Sequence, residues 1–153
     1  MQTAINRIIN RMENTLTGDP WYGRAVFSIL DDCPAEKTSL PETSNSHSLP
    51  ALLWHMITWA EFTLRRIEGR QDDPKEMEIL DWRKLDPSIH TWANGLREIR
   101  QVHEQIIARL KEKEDDFLQQ KVDYRSYDFG YLLHGLIDHT IYHLGQIALL
   151  QKQ

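Results

Sequence analysis

Residues 128–153 read DFGYLLHGLIDHTIYHLGQIALLQKQ. At about 100° per residue, Leu132, Leu136, His139, His143, Gln146, Ile147 and Leu150 fall on one face, so two imidazoles stand inside the apolar stripe of a predicted helix. Side chains four apart on a helix lie about 5 to 6 Å apart at Cβ, which lets both rings converge on one cation from a single rigid element. A third ligand must then come from a different helix.

Working back along the chain, the stretch 49–69 supplies it. Leu52, Met56, Trp59, Ala60, Thr63 and Ile67 form the inner face of a second predicted helix, from about Leu49 to Glu68, and His55 lies on the edge of that stripe. Ser48 is its expected N-cap, Pro50 fits its first turn, and Gly69 its left-handed end. Ile5, Ile8, Ile9, Met12 and Leu16 predict a further helix over residues 2–17, and RAVFSIL a short helical piece before a polar loop from Asp31 to Ser46. Asp86-Pro87 has the form of a cap followed by a first-turn proline. The helix expected from there carries Ile89, Trp92, Leu96, Ile99, His103, Ile106 and Leu110 on one side. The connection from Gly69 to Leu85 is too long for a tight antiparallel hairpin, so it is expected to cross the bundle and leave its two flanking helices parallel. No repeat and no convincing β pattern interrupts this; KVDYRSYDF is too polar and isolated. The expected fold is all-α, a four-helix bundle with one long crossover, in a single domain over residues 1–153.

Composition excludes several functions. With 153 residues the chain can bury a core without a disulfide or structural metal, so a metal here is expected to be functional. The net charge of -5 and the absence of a basic run argue against nucleic acid. No apolar run approaches the roughly 20 residues of a membrane span, Cys33 is the only cysteine, and the N-terminal stretch lacks a signal-peptide core, so a cytoplasmic location is expected.

The same helical geometry sorts the other histidines. His103 sits in the apolar side of its helix, either as a core histidine or as a fourth ligand or general base. His134 points about 140° away from His139, and His47 and His90 stand near helix starts, where solvation is expected. The Glu-x-x-His pairs of di-iron bundles are absent, and His103-Glu104 does not continue into the metalloprotease signature. Trp59, Phe62 and Gln146 lie close in angle to the metal-ligating candidates and are expected to wall a substrate pocket, Gln146 with a polar contact.

LPALLWHMITWAEFTLRRIEG (49–69) and LIDHTIYHLGQIALL (136–150), with Trp21-Tyr22-Gly23, Asp81-Trp82 and Trp92, resemble the DinB-like superfamily of four-helix metalloproteins. The resemblance spans nearly the whole chain and puts the family's metal triad on His55, His139 and His143. It implies an up-down-down-up bundle, frequently a homodimer, holding zinc or nickel. Some relatives are S-transferases or isomerases that use a low-molecular-weight thiol.

The expected function is that of a metal-dependent enzyme acting on a small molecule, its three histidines leaving a position open to activate a thiol or water. Arg65, Arg66 or Arg125 are candidate anchors for a thiol's acidic groups. A metal-dependent hydrolase is one alternative. A non-catalytic dimeric module is another, suggested by the second apolar stripe of the last helix, Leu133, Ile137, Thr140, Leu144 and Ala148.

Overall fold

The computed structural model describes residues 2–39 and 41–153; Leu40, within the expected polar loop, and Met1 lie outside the described residues. Among the described residues the chain is all-α, with six α-helices and no strand: α1 (Ala4–Thr17), α2 (Val26–Asp31), α3 (Leu49–Ile67), α4 (Pro74–Leu80), α5 (Trp92–Leu110) and α6 (Phe129–Lys152). The four long helices pack as a helical bundle around one apolar core, with α3 buried against both α5 and α6.

Each long helix begins at a side chain that satisfies an orphan backbone N–H. Thr3, Ser48, Thr91 and Asp128 accept from the amides of Asn6, Ala51, Asn94 and Tyr131. Gly69 ends α3 with φ of 68°, a conformation that costs glycine little. Near their N-terminal ends α3 and α5 approach so closely that a Cβ on Gly95 would stand 2.6 Å from Leu53 Cδ2. Near their C-terminal ends Arg109 Nε lies 3.3 Å from Glu68 Oε1.

One local expectation is corrected. Asp86-Pro87 does not open the helix: the Asp86 carboxylate accepts from Ser88, its own N–H donates to His90 Nδ1, and the turn closes there. Thr91 is extended and caps α5, which starts five residues later than expected, and Ile89 is left 56% exposed. The connection from Gly69 to Leu85 holds a short helix, α4. Asp73 caps Lys75, Pro74 takes the first helical position, and Met77 anchors α4 in the core.

Most of the second stripe of α6 is consumed within the chain, with Ala148 half-buried. Leu133, Ile137, Thr140 and Leu144 are all buried, so they do not form the free partner surface that their arc suggested.

Candidate metal centre

His139 and His143 project from one face of α6, and His55 meets them from α3. His55 Nε2 is 3.0 Å from His143 Nε2 and 2.9 Å from His139 Nε2, with His55 and His143 buried and His139 half-buried. The triad is the group of His, Cys, Asp and Glu side chains among the described residues whose ligand atoms come close enough to share an ion.

The remaining ring nitrogens decide what these contacts mean. His55 Nδ1 lies 2.6 Å from Asp81 Oδ1, an electrostatic contact outside hydrogen-bond alignment, and that oxygen accepts from Trp59 Nε1 at 2.7 Å. His143 Nδ1 lies 2.5 Å from Gln146 Oε1. An oxygen beside Nδ1 selects the tautomer with the proton there, which leaves a lone pair on Nε2. His55 and His143 therefore turn two lone pairs toward each other with no proton between them. Such an arrangement is repulsive on its own and suits a cation. Ring nitrogens held about 2.0 to 2.1 Å from one ion sit roughly 2.9 to 3.4 Å apart, the spacing seen here. His139 Nδ1 is buried without a partner.

The triad is also held neutral. Burial, then the neighbouring His143 and His55, pushes His139 down to about 4. Burial lowers His55 and His143 as well, against the opposing pull of Asp81 on the first and the Gln146 hydrogen bond on the second. Neutral imidazoles are the ligating form.

An aromatic layer covers one side. The Trp82 indole stacks on His55 with ring centroids 3.8 Å apart, and His47 stacks on the opposite indole face at 3.9 Å. His47 is exposed, as expected, and also belongs to this pile, contacting Glu42 at 3.2 Å. Beyond His139 opens an apolar chamber of about 190 Å³, lined by Trp59, Thr63, Tyr127, Tyr131, Leu132, Gly135, Leu136 and His139 itself. On the His55 side lies a charged hollow of about 290 Å³ whose lining includes Glu42, His47, Asp81, Trp82, Arg83 and Lys84.

Two expected site residues stand elsewhere, and a third, Gln146, touches the triad without lining the chamber. Phe62 is fully buried behind Trp59, edge-on at 5.5 Å, with the Arg125 guanidinium over its ring at 5.0 Å, and does not line the chamber. Gln146 is likewise outside the chamber and holds His143. His103 is a core histidine: its Nδ1 bonds Ile99 O at 2.8 Å and it packs near Met12, Thr15 and Thr140. The arginines expected as thiol anchors are engaged. Arg65 and Arg66 pair with Asp72, and Arg125 pairs with Glu78. Asp81, Trp82, Tyr127 and Gly135 are the contributors that helix geometry does not single out; Asp81-Trp82 stands out in the sequence only through the family resemblance.

A family model described as the DinB superfamily matches residues 23–147, a span that holds the whole triad and both cavities' principal walls. No curated protein matches the chain, and no solved structure does.

Proposed function

The chain belongs to the DinB superfamily, and from that premise we propose that it is a divalent-metal-dependent enzyme in which His55, His139 and His143 hold zinc or nickel. The observation that carries this is the convergence of His143 and His139 Nε2 on His55 Nε2, at 3.0 and 2.9 Å, with an oxygen behind the His55 and His143 rings. A bound divalent ion would supply the positive charge that favours a thiolate or acidifies a water at neutral pH. Asp81 holds the His55 ring and its tautomer, and Gln146 does the same for His143. Trp82 stacks over His55, and the walls of α3 and α6 bury His55 and His143. Trp59 is tied to Asp81 through its N–H and presents its indole to the chamber, so one carboxylate positions both a ligand and a pocket wall.

Thiol-dependent transfer to a small molecule is the reading we favour over hydrolysis, on the strength of the family resemblance. The homodimer rests on that resemblance alone. The finer topology has structural support: Leu53 meets Gly95 and Glu68 meets Arg109, while His55, near the start of α3, meets His143 toward the end of α6. These pairings favour parallel α3 and α5 across a long crossover, as in an up-down-down-up bundle.

The test is metal content by mass spectrometry on untagged protein beside the triple alanine variant of the three histidines, followed by transfer assays with and without low-molecular-weight thiols. About one ion per chain, lost in the variant, is expected. Failure to take up zinc, nickel, manganese or iron would overturn the proposal, and thiol-independent turnover would shift it to hydrolysis.

A further inference from the structure

We propose that the chamber beside His139 binds the uncharged, ring-sized apolar part of the substrate, and that Gly135 sets the size of group it accepts. The inference rests on the metal-enzyme reading above for the word substrate; the binding itself does not.

The chamber's lining is nearly all carbon, and two of its polar atoms are committed elsewhere. Trp59 Nε1 donates to Asp81, and Thr63 Oγ1 donates to Trp59 O at 2.9 Å, which leaves the indole and the threonine methyl to face inward. Tyr127 and Tyr131 lie across from them with ring centroids 5.1 Å apart. Tyr131 is 68% exposed, so it forms the mouth. Among the described residues no charged side chain lines the space. A cavity of about 150 Å³ already admits benzene when its walls are apolar, so about 190 Å³ suits one aromatic ring or a short alkyl chain.

The chamber is continuous with the triad, because His139 is both its end wall and a triad member. A molecule seated there has its inner end against a ligand ring and its outer end beside the two tyrosines. This makes a small substrate the occupant that fits, in preference to a partner helix, which would cover the mouth without reaching His139. The charged hollow on the His55 side offers the contrasting environment, so the two flanks of the triad separate apolar from polar groups.

Gly135 lies one turn before His139 on α6. A Cβ placed on it meets no atom within 4 Å, and Gly135 is part of the chamber's lining, so a larger side chain there is expected to take up part of that space. Gly145 has the same freedom on the same helix and lies outside the chamber, which makes it a matched control.

The experiment uses fluorobenzene as the probe, followed by fluorine NMR on zinc-treated and untreated full-length protein. Wild type and Gly145→Leu are expected to bind it alike, and Gly135→Leu at least about tenfold more weakly. Gly135→Val repeats the test with a smaller side chain should the leucine variant lose helicity. No binding to wild type, or equal binding to the Gly135 variants, would overturn the proposal. So would a dimeric wild type that becomes monomeric on Gly135→Leu, since the groove would then be an interface between copies. Zinc stoichiometry is measured on the same samples: a wild type that holds zinc but does not bind the probe sinks the chamber alone, while a wild type that binds the probe but takes up no zinc sinks the metal-enzyme reading alone.

Discussion

His55 and His143 face each other through their Nε2 atoms at 3.0 Å, although each has its Nδ1 against an oxygen, Asp81 Oδ1 for the first and Gln146 Oε1 for the second. Two neutral imidazoles with these outer contacts cannot share a proton across the gap. The contact is stable only if something positive lies between them or if one ring gives up its outer partner. That alternative is costly for His55, whose carboxylate neighbour sits in a partly buried pocket with Trp59.

The first prediction concerns a ligand directly. His143→Ala should abolish tight metal binding and leave the helical circular dichroism intact, because the core beneath it, Leu136, Ile137, Leu144 and Ile147, is untouched. Metal content after dialysis measures it. A variant that keeps stoichiometric metal would show that the ion is held elsewhere.

The second concerns pH in the metal-free protein. His139 titrates at about 4 in the folded chain, and His55, His143 and His103 are also pushed down by burial. In the unfolded chain all four titrate near the usual value of about 6.5. Below that value the unfolded state binds more protons than the folded one, so stability falls as pH falls toward 4, by about 1.4 kcal/mol per pH unit for each extra proton bound. Urea midpoints measured across the range from neutral pH down toward the His139 value should therefore decline. The triple alanine variant should decline less steeply, keeping the share that His103 contributes. A flat profile in the wild type would contradict the buried neutral state of the triad.

How much of this is readable in the residue order depends on the range of each interaction. Ser48 and Gly69 are legible because a cap or a left-handed end is settled within three or four residues. The His139/His143 pair is legible because helical period alone puts both rings on one face. Asp86-Pro87 misleads because the signal is real but serves a closed turn, with Thr91 supplying the actual cap. Phe62 misleads for a different reason: a helical wheel gives direction around the axis and not depth, and Trp59 fills the space in front of it. Asp81, Trp82 and His47 reach the centre only through the path of two connections around the bundle, and no periodicity carries that path.

The third prediction follows from the placement of His103. His103→Leu should leave metal content unchanged, since its ring is packed against Ile99 O and α1 and takes no part in the triad. Replacing it with alanine instead should cost about 2 to 4 kcal/mol in urea unfolding, the usual range for truncating a large buried side chain. A drop in bound metal in the leucine variant would place His103 back in the site.

The fourth concerns Gly135 and the helix it interrupts. A methyl group added there would have no atom within 4 Å, and the backbone is ordinary helix, so Gly135→Ala should stabilise α6 by about 0.5 to 1 kcal/mol through the unfolded state. A thermal melt should rise by a few degrees. A lower midpoint would mean that the chamber needs the glycine for its shape.

The last prediction isolates Asp81. Its carboxylate lies 2.6 Å from His55 Nδ1 and 2.7 Å from Trp59 Nε1, and both contacts are made by the same oxygen. Asp81→Asn keeps the size and one carbonyl oxygen able to accept but removes the charge that makes the His55 ring a stronger donor to a cation. Metal affinity should fall about 10- to 100-fold, the range for loss of a carboxylate behind a ligating histidine. Asp81→Ala should fall further and also free the Trp59 indole, which a shift in tryptophan emission would report. Competition with a chromophoric chelator gives the affinities. If Asp81→Asn binds zinc as tightly as the wild type, the carboxylate serves the fold of the connection and not the ligand, whereas a loss restored by Asp81→Glu assigns the effect to charge at that position.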